Sequence, residues 1–178
     1  MKNKKLNLQP GVLWITGLSG SGKTTISKIL LAKLKKKYDN IILLDGDKLR
    51  KTLKIKKKGT FNYNQRKKMG LIYAKICKSY LKKDYFVIIS VMALIKFVHQ
   101  WNKKNLINYK DVYLKVPLYI LKKRDPKKIY EKFRLKKIKN VAGLDLKYDV
   151  PKKPSLQIIW NKKLTPQKIT NKIIKKLF

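Results

Sequence analysis

Residues 17–24 read Gly17-Leu18-Ser19-Gly20-Ser21-Gly22-Lys23-Thr24, the most specific pattern in this chain of 178 residues. A short apolar run, Val12–Thr16, precedes the pattern, and helical periodicity begins near Thr24. Glycines at these spacings let successive backbone N–H groups point inward around phosphate oxygens, and the following helix adds its positive N-terminal end. Pattern and context agree, so the sequence predicts a phosphate-binding P-loop.

Two side chains of this segment carry the predicted chemistry. We expect Lys23 to bridge the β- and γ-phosphates of a nucleoside triphosphate. We expect the Thr24 hydroxyl to ligate the magnesium ion that accompanies those phosphates. The alternative is a tight glycine turn without a ligand, and the flanking strand and helix argue against it. ATP with Mg²⁺ is therefore the predicted co-substrate pair.

Apolar runs alternate with helical patterns from one end of the chain to the other. Five β-branched runs predict buried strands: Val12–Thr16, Ile41–Asp45, Phe86–Ser90, Asp111–Val116 and Leu156–Trp160. The alternation predicts an α/β fold of three layers, a mainly parallel five-stranded sheet with helices on both faces. Residues 1–178 show no composition break and are predicted to form one domain. Residues 126–154, rich in lysine and without a clear strand, are predicted to form a mobile lid.

Two aspartates follow the second predicted strand in the segment Leu44-Asp45-Gly46-Asp47. Ligands of open α/β sheets gather at the carboxyl ends of the strands, so these carboxylates are expected to face the γ-phosphate. One would hold magnesium through water, and the other would orient or deprotonate an attacking hydroxyl. The alternative is that either aspartate caps the next helix.

The charge balance is strongly positive, with 47 Lys+Arg against 9 Asp+Glu and a formal net charge of +38. Lysine outnumbers arginine 43 to 4 and is spread along the whole chain, whereas specific recognition of nucleic acid favours arginine forks. We therefore predict no specific nucleic-acid partner. One cysteine and no long apolar run predict a cytoplasmic protein without a disulfide framework or a membrane partner.

Several segments, in this order, resemble the adenylylsulfate kinase family. Gly11 to Thr25 (GVLWITGLSGSGKTT) is similar to that family's first strand and P-loop, and Leu44 to Arg50 (LDGDKLR) is similar to its aspartate motif. Arg124 to Tyr130 (RDPKKIY) is similar to its RDPKGLY signature, and Ile138 to Asp145 (IKNVAGLD) to its IKGFTGID segment. Tyr148 to Pro154 matches the family's following loop. The resemblance implies a kinase that transfers the γ-phosphate of ATP to the 3′-hydroxyl of adenylyl sulfate.

The resemblance also implies roles for individual residues. Asp47 would lie near the acceptor hydroxyl and would deprotonate or orient it, with Asp45 nearby. Thr24 and Asp45 would bind the magnesium ion. The implied catalytic residues are Lys23, Asp45 and Asp47. The implied ATP-binding residues are Gly17, Leu18, Ser19, Gly20, Ser21, Gly22, Lys23, Thr24, Thr25 and Arg124. The implied acceptor-binding residues are Arg50, Phe61, Arg66, Lys139 and Val141. A homodimer is the implied assembly.

Three departures from the family pattern lie on the acceptor side. Val91-Met92-Ala93-Leu94 replaces Phe-Ile-Ser-Pro, Lys68 to Ile72 replaces Glu-Asn-Ile-Arg-Arg, and Val141 replaces an aromatic. Asn102 to Tyr109 and Lys139 to Asp145 look closer to a branch of the family in surface-polysaccharide loci. One such branch phosphorylates cytidine diphosphoramidate, which is the alternative acceptor. An alternative of another class is a degenerate protein that binds ATP and nucleic acid without kinase activity.

Overall fold

The computed structural model describes residues 5–55 and 60–178, in which strands and helices alternate along the chain. The elements of this described part are, in order, β1 (Gly11–Thr16), α1 (Lys23–Leu34), β2 (Ile41–Asp45), α2 (Gly46–Thr52), α3 (Tyr63–Leu81), β3 (Phe86–Ser90), α4 (Lys96–Asn105), β4 (Tyr109–Lys115), α5 (Leu118–Arg124), α6 (Ile129–Arg134), β5 (Leu156–Ile159) and α7 (Pro166–Leu177).

The strands form one parallel sheet in the order β2-β3-β1-β4-β5. In this sheet Ile15 of β1 pairs with Ser90 of β3 on one side and with Val112 of β4 on the other. The chain leaves β1 towards β2 and β3, and later returns on the opposite side to form β4 and β5. A crevice opens at the carboxyl ends of strands where the order reverses in this way. The P-loop, which follows β1, begins at that crevice.

Apolar clusters cover both faces of the sheet. Neighbouring residues of a strand point to opposite faces, so Trp14 packs with Val98 of α4 while Leu13 packs with Leu30 of α1 and Ile173 of α7. All five of these side chains are 0% exposed. The predicted three-layer α/β fold with a five-stranded parallel sheet is therefore confirmed.

Some element boundaries differ from the sequence prediction. The strand predicted over Asp111–Val116 runs instead from Tyr109 to Lys115, and the last strand ends at Ile159. Helix α4, which follows β3, begins at Lys96, because the buried chain before it is extended up to Ile95. The short helix α5 was not predicted, and α2 entered only as the helix that Asp45 or Asp47 would cap, since seven residues are too few to show a helical period.

The predicted lid, residues 126–154, contains one short helix, α6. Tyr130, Val141 and Ala142 of this segment are buried and pack in a third apolar cluster with Leu18 of the P-loop. The segment thus covers the carboxyl-terminal edge of the sheet, and its mobility stays a prediction. Among the helices of residues 5–55 and 60–178, none combines the length and the apolar character that a membrane crossing requires.

Candidate active site

The P-loop wraps around its own lysine. The Lys23 ammonium donates hydrogen bonds to the carbonyl oxygens of Gly17 at 2.9 Å and Leu18 at 2.8 Å. Gly20 (φ +77) and Gly22 (φ +91) adopt left-handed conformations that disfavour other residues. Burial, with the charge of Lys127 adding to it, lowers the pKa of Lys23 to about 7. A bound anion would therefore stabilise the protonated form of Lys23.

Asp45 joins the P-loop helix to the neighbouring strand. Its Oδ2 accepts hydrogen bonds from the hydroxyls of Thr24 at 2.8 Å and Ser90 at 3.0 Å. Its Oδ1 accepts from the backbone N–H groups of Asp47 and Lys48, which caps α2. Burial acts to raise the pKa of Asp45, but these hydrogen bonds outweigh it and the pKa lies below its ordinary value. Asp45 is therefore both a helix cap and an ionised carboxylate beside Thr24.

Asp47, two residues further along, contacts two cationic side chains. Its carboxylate contacts the Arg50 guanidinium on the same helix and the Lys127 ammonium from the segment before α6. The resemblance implies that Arg124 and the segment after it close over ATP, but the sequence prediction did not single out Lys127 within that segment and also missed Ser90. The available signals were the position of Lys127 within the Arg124–Tyr130 segment and that of Ser90 at the end of a strand at the same sheet edge.

One cavity of about 750 Å³ connects these groups. The predicted site residues that line it are Ser19, Gly20, Ser21, Gly22, Lys23, Thr24, Thr25, Asp45, Asp47, Arg50, Phe61, Arg66, Arg124 and Val141. Gly17 and Leu18 belong to the loop but do not line the cavity, and their carbonyl oxygens accept hydrogen bonds from Lys23. Lys139 is exposed and is absent from the described residues that line the cavity. The tertiary structure thus brings all the predicted site residues except Lys139 to the cavity or into contact with Lys23.

The end of the cavity beside Phe61 is largely apolar. Phe61, Met69, Met92 and Val141 line it. Arg66 lies among them, and its guanidinium donates to the carbonyl oxygens of Phe61 and Asn140, each at 2.8 Å. Burial is the main reason that the pKa of Arg66 falls to about 10, with the charge of Arg50 acting in the same direction. Arg66 therefore ties α3 to the lid segment while its charge stays in the cavity.

The lid segment also touches the P-loop directly. The Tyr130 hydroxyl donates a 3.0 Å hydrogen bond to the Ser19 carbonyl oxygen. Asp145 accepts from the backbone N–H groups of Asn140 at 2.7 Å and Val141 at 2.6 Å, which holds Val141 against the cavity. Residues 126–154 are therefore linked to the P-loop and to the Phe61 end of the same cavity.

The opposite end of the cavity lies beyond the P-loop. Arg124 at the end of α5, Trp160 after β5 and Pro166 at the start of α7 line this end. Arg124 is exposed and donates to the Gly20 carbonyl oxygen at 3.5 Å. Trp160 packs edge-on against Tyr119, with ring centroids 6.3 Å apart. The sequence prediction treated Trp160 only as part of a strand.

A phosphate loop after β1, an acidic pair at the end of β2 and a cavity joining them define a P-loop phosphotransferase. The family model of adenylylsulphate kinase matches residues 9–159, and the chain belongs to that family. This confirms the predicted resemblance and the predicted class of enzyme, a phosphotransferase that acts on a hydroxyl group.

Individual relatives agree with the family assignment. The chain is 39% identical over 144 residues to a cytidine diphosphoramidate kinase of Campylobacter jejuni, covering 80% of this chain and 82% of the relative. It is 35% identical over 151 residues to an adenylyl-sulfate kinase of Buchnera aphidicola, covering 83% and 70%. The Mycobacterium tuberculosis APS kinase, solved in complex with AMPPNP and APS, superposes with a TM-score of 0.84 at 25% identity, covering 95% of this chain and 98% of that one.

Proposed function

We propose that this protein transfers the γ-phosphate of ATP to the 3′-hydroxyl of adenylyl sulfate. One observation carries the proposal: a single cavity holds Lys23 of the P-loop, the carboxylate of Asp47, and an apolar recess beside Phe61. The triphosphate would lie in the loop and the acceptor nucleotide in the recess, with its hydroxyl towards Asp47. The family membership of the chain and the APS bound in its M. tuberculosis structural relative support the same acceptor.

The residues divide the chemistry among them. Thr24 and Asp45 offer hydroxyl and carboxylate oxygens, the hard donors that suit magnesium, and they would hold the ion. The ion, when bound, neutralises charge on the phosphates. Lys23 would stabilise the transferred phosphoryl group, Asp47 would accept or orient the acceptor proton, and Arg50 would neutralise the acceptor phosphate. Arg124 would contact ATP.

We propose that residues 1–178 act as one kinase domain in which residues 126–154 form the lid. Its contacts with Ser19, through Tyr130, and with Arg66, through Asn140, support this role. Closure would exclude the water that otherwise hydrolyses ATP. The expected homodimer stays a prediction.

Cytidine diphosphoramidate is the second candidate acceptor. It is favoured by the 39% identity to the Campylobacter jejuni relative of that name. The recess itself points the same way, because Met69 and Val141 line it where the adenylyl sulfate kinases carry an asparagine and an aromatic residue. A recess without a stacking aromatic at Val141 suits a pyrimidine at least as well as a purine.

A coupled assay of ADP release tests the proposal. Adenylyl sulfate, cytidine diphosphoramidate and AMP would each be supplied with ATP and Mg²⁺, and we expect adenylyl sulfate to have the largest kcat/KM. A higher kcat/KM for cytidine diphosphoramidate would establish the second candidate. No acceptor-dependent release, together with oligonucleotide binding that weakens steeply with salt, would support a degenerate binding protein instead.

Asp47→Asn separates turnover from binding in the same assay. We expect kcat to fall about 100-fold or more, since proton acceptance contributes roughly 10²–10⁴-fold. Asp39→Asn is the matched control, because Asp39 is an exposed aspartate whose salt bridge is with Lys5, outside the cavity. Full activity in Asp47→Asn would remove Asp47 from the mechanism.

A further inference from the structure

The Asp47 carboxylate contacts two cationic side chains of the chain itself. One oxygen contacts Arg50 and the other contacts Lys127, which lies 80 residues further along the chain. Arg50 and Lys127 thus lie against the two oxygens that an acceptor hydroxyl would have to approach. An acceptor hydroxyl that contacts Asp47 must therefore displace one of these partners.

Lys127 is the partner that can leave. Arg50 lies on the same helix as Asp47 and is also held by the Tyr73 hydroxyl, to which its Nη1 donates at 3.0 Å. Lys127 lies in the turn between α5 and α6, and half of its side chain is exposed. Its ammonium therefore swings more freely than the Arg50 guanidinium.

Lys127 also lies within reach of the place where a terminal phosphate would sit. It lines the same cavity as Lys23 and Thr24. Its charge lowers the pKa of Lys23, and its own pKa is lowered by burial first and by Arg50 next, with Asp45 acting in the opposite direction. Several cations thus crowd one small volume that holds few anions, which favours an incoming phosphate.

We propose that Lys127 exchanges partners during turnover, leaving Asp47 for the terminal phosphate of bound ATP, so that ATP binding itself uncovers Asp47 for the acceptor hydroxyl. A terminal phosphate offers more negative charge and more acceptor oxygens than a carboxylate, so it competes well for the ammonium. This inference rests on the proposed function.

The transfer step balances without any change at Lys127. The bond between the γ-phosphorus and the β–γ bridging oxygen breaks, and its electron pair stays on ADP. A bond from the acceptor oxygen to the γ-phosphorus forms, and the acceptor proton passes to Asp47. Lys127 stabilises the charge of the phosphoryl group and remains protonated throughout.

Equilibrium binding tests the exchange without any acceptor. The affinities of ADP and of a non-hydrolysable ATP analogue, both with Mg²⁺, would be measured for the wild type, Lys127→Met, Asp47→Asn and the double variant. We expect Lys127→Met to weaken binding of the analogue about tenfold, the loss of one charge-assisted contact, and to leave ADP binding within about twofold. An equal loss for both nucleotides would overturn the proposal.

The double variant gives the sharper result. The coupling between the two substitutions has one sign if Lys127 leaves Asp47 and the opposite sign if Lys127 stays. If Lys127 leaves Asp47, then Asp47→Asn strengthens analogue binding more when Lys127 is present than in the Lys127→Met background. If Lys127 stays on Asp47, its removal uncovers the carboxylate, and Asp47→Asn then helps more in the Lys127→Met background. The second pattern, or equal effects, would overturn the exchange.

Lys128→Met is the matched control, since it removes the same charge from the neighbouring, exposed residue. We expect it to leave both affinities unchanged within about twofold, because screening weakens the effect of a charge that does not face the cavity. A loss equal to that of Lys127→Met would reduce the effect to general charge removal and overturn the proposal. Neither binding experiment uses an acceptor, so the acceptor assay above can fail or succeed independently.

Discussion

The Thr24 hydroxyl donates a hydrogen bond to Asp45 Oδ2 at 2.8 Å, and this bond joins the first turn of α1 to the end of β2. Both groups are hard oxygen donors, and they meet at the carboxyl-terminal edge of the sheet beside Lys23. This direct contact places the two proposed magnesium ligands side by side.

Asp45→Asn should weaken the effect of magnesium on nucleotide binding. We expect the gain in ADP affinity on adding Mg²⁺ to fall by about tenfold or more, because the amide lacks the carboxylate charge. Isothermal titration with and without Mg²⁺ measures this gain. Asp39→Asn, the same chemical change at an exposed site, should retain the wild-type gain. An unchanged gain in Asp45→Asn would argue against Asp45 as a ligand.

The same substitution should alter the acid dependence of stability. The folded-state pKa of Asp45 lies below the ordinary value of 3.8, so its ionised form favours the folded state. That stabilisation is fully present above the unfolded-state pKa and is lost as pH falls through the folded-state pKa. Urea unfolding at pH 6 and below pH 3 should show a larger loss for the wild type than for Asp45→Asn. Equal losses would contradict the direction of the pKa shift.

ATP binding should take up a proton at Lys23. Burial and the charge of Lys127 bring the pKa of Lys23 to about 7 in the free protein, so at pH 8 most of the amine is neutral. The phosphates of ATP would restore the charged form, and roughly one proton would be absorbed. Calorimetry at pH 8 in buffers of different ionisation enthalpy measures this uptake. Lys23→Met should reduce it; an unchanged proton count in that variant would assign the uptake to another group.

Tyr130→Phe should destabilise the contact between the lid segment and the P-loop. The variant loses the 3.0 Å hydrogen bond to the Ser19 carbonyl oxygen, which is worth about 1 kcal/mol of free energy of unfolding. Tyr119→Phe is the matched control, because Tyr119 is 65% exposed. Urea midpoints of the two variants compare them directly. A Tyr130→Phe protein as stable as Tyr119→Phe would show that water replaces the bond at no cost.

Lys128→Gly should stabilise the protein. Lys128 occupies the left-handed region at φ 51, where the family signature RDPKGLY carries glycine. Relief of this conformation stabilises the folded state by about 1–2 kcal/mol. The extra conformational entropy of glycine stabilises the unfolded state by only about 0.5–1 kcal/mol. We expect a net gain of about 0.5–1 kcal/mol in the free energy of unfolding. Lys128→Ala removes the side chain but keeps the backbone cost, and a similar gain there would assign the effect to charge.

The architecture could be predicted because its signals are local. Glycine spacing in residues 17–24 identifies the P-loop, and apolar runs identify five strands whose ends differ from the observed ones by two residues at most. The position of Asp45 and Asp47 at the end of β2 follows from the same pattern, since parallel strands present their carboxyl ends on one edge. These features need only the neighbouring residues of the chain.

The sequence by itself determined the family, the phosphate loop and the acidic pair. Only the tertiary structure decided which cations reach that pair. Lys127 and Asp47 are 80 residues apart, and Arg66 and Asn140 are 74 apart. Lys139, which the resemblance assigned to the acceptor, is exposed and is not among the described residues that line the cavity. In a chain with 47 basic residues, charge alone cannot select a partner, because the selection depends on where each turn directs its side chain after the sheet and helices have packed.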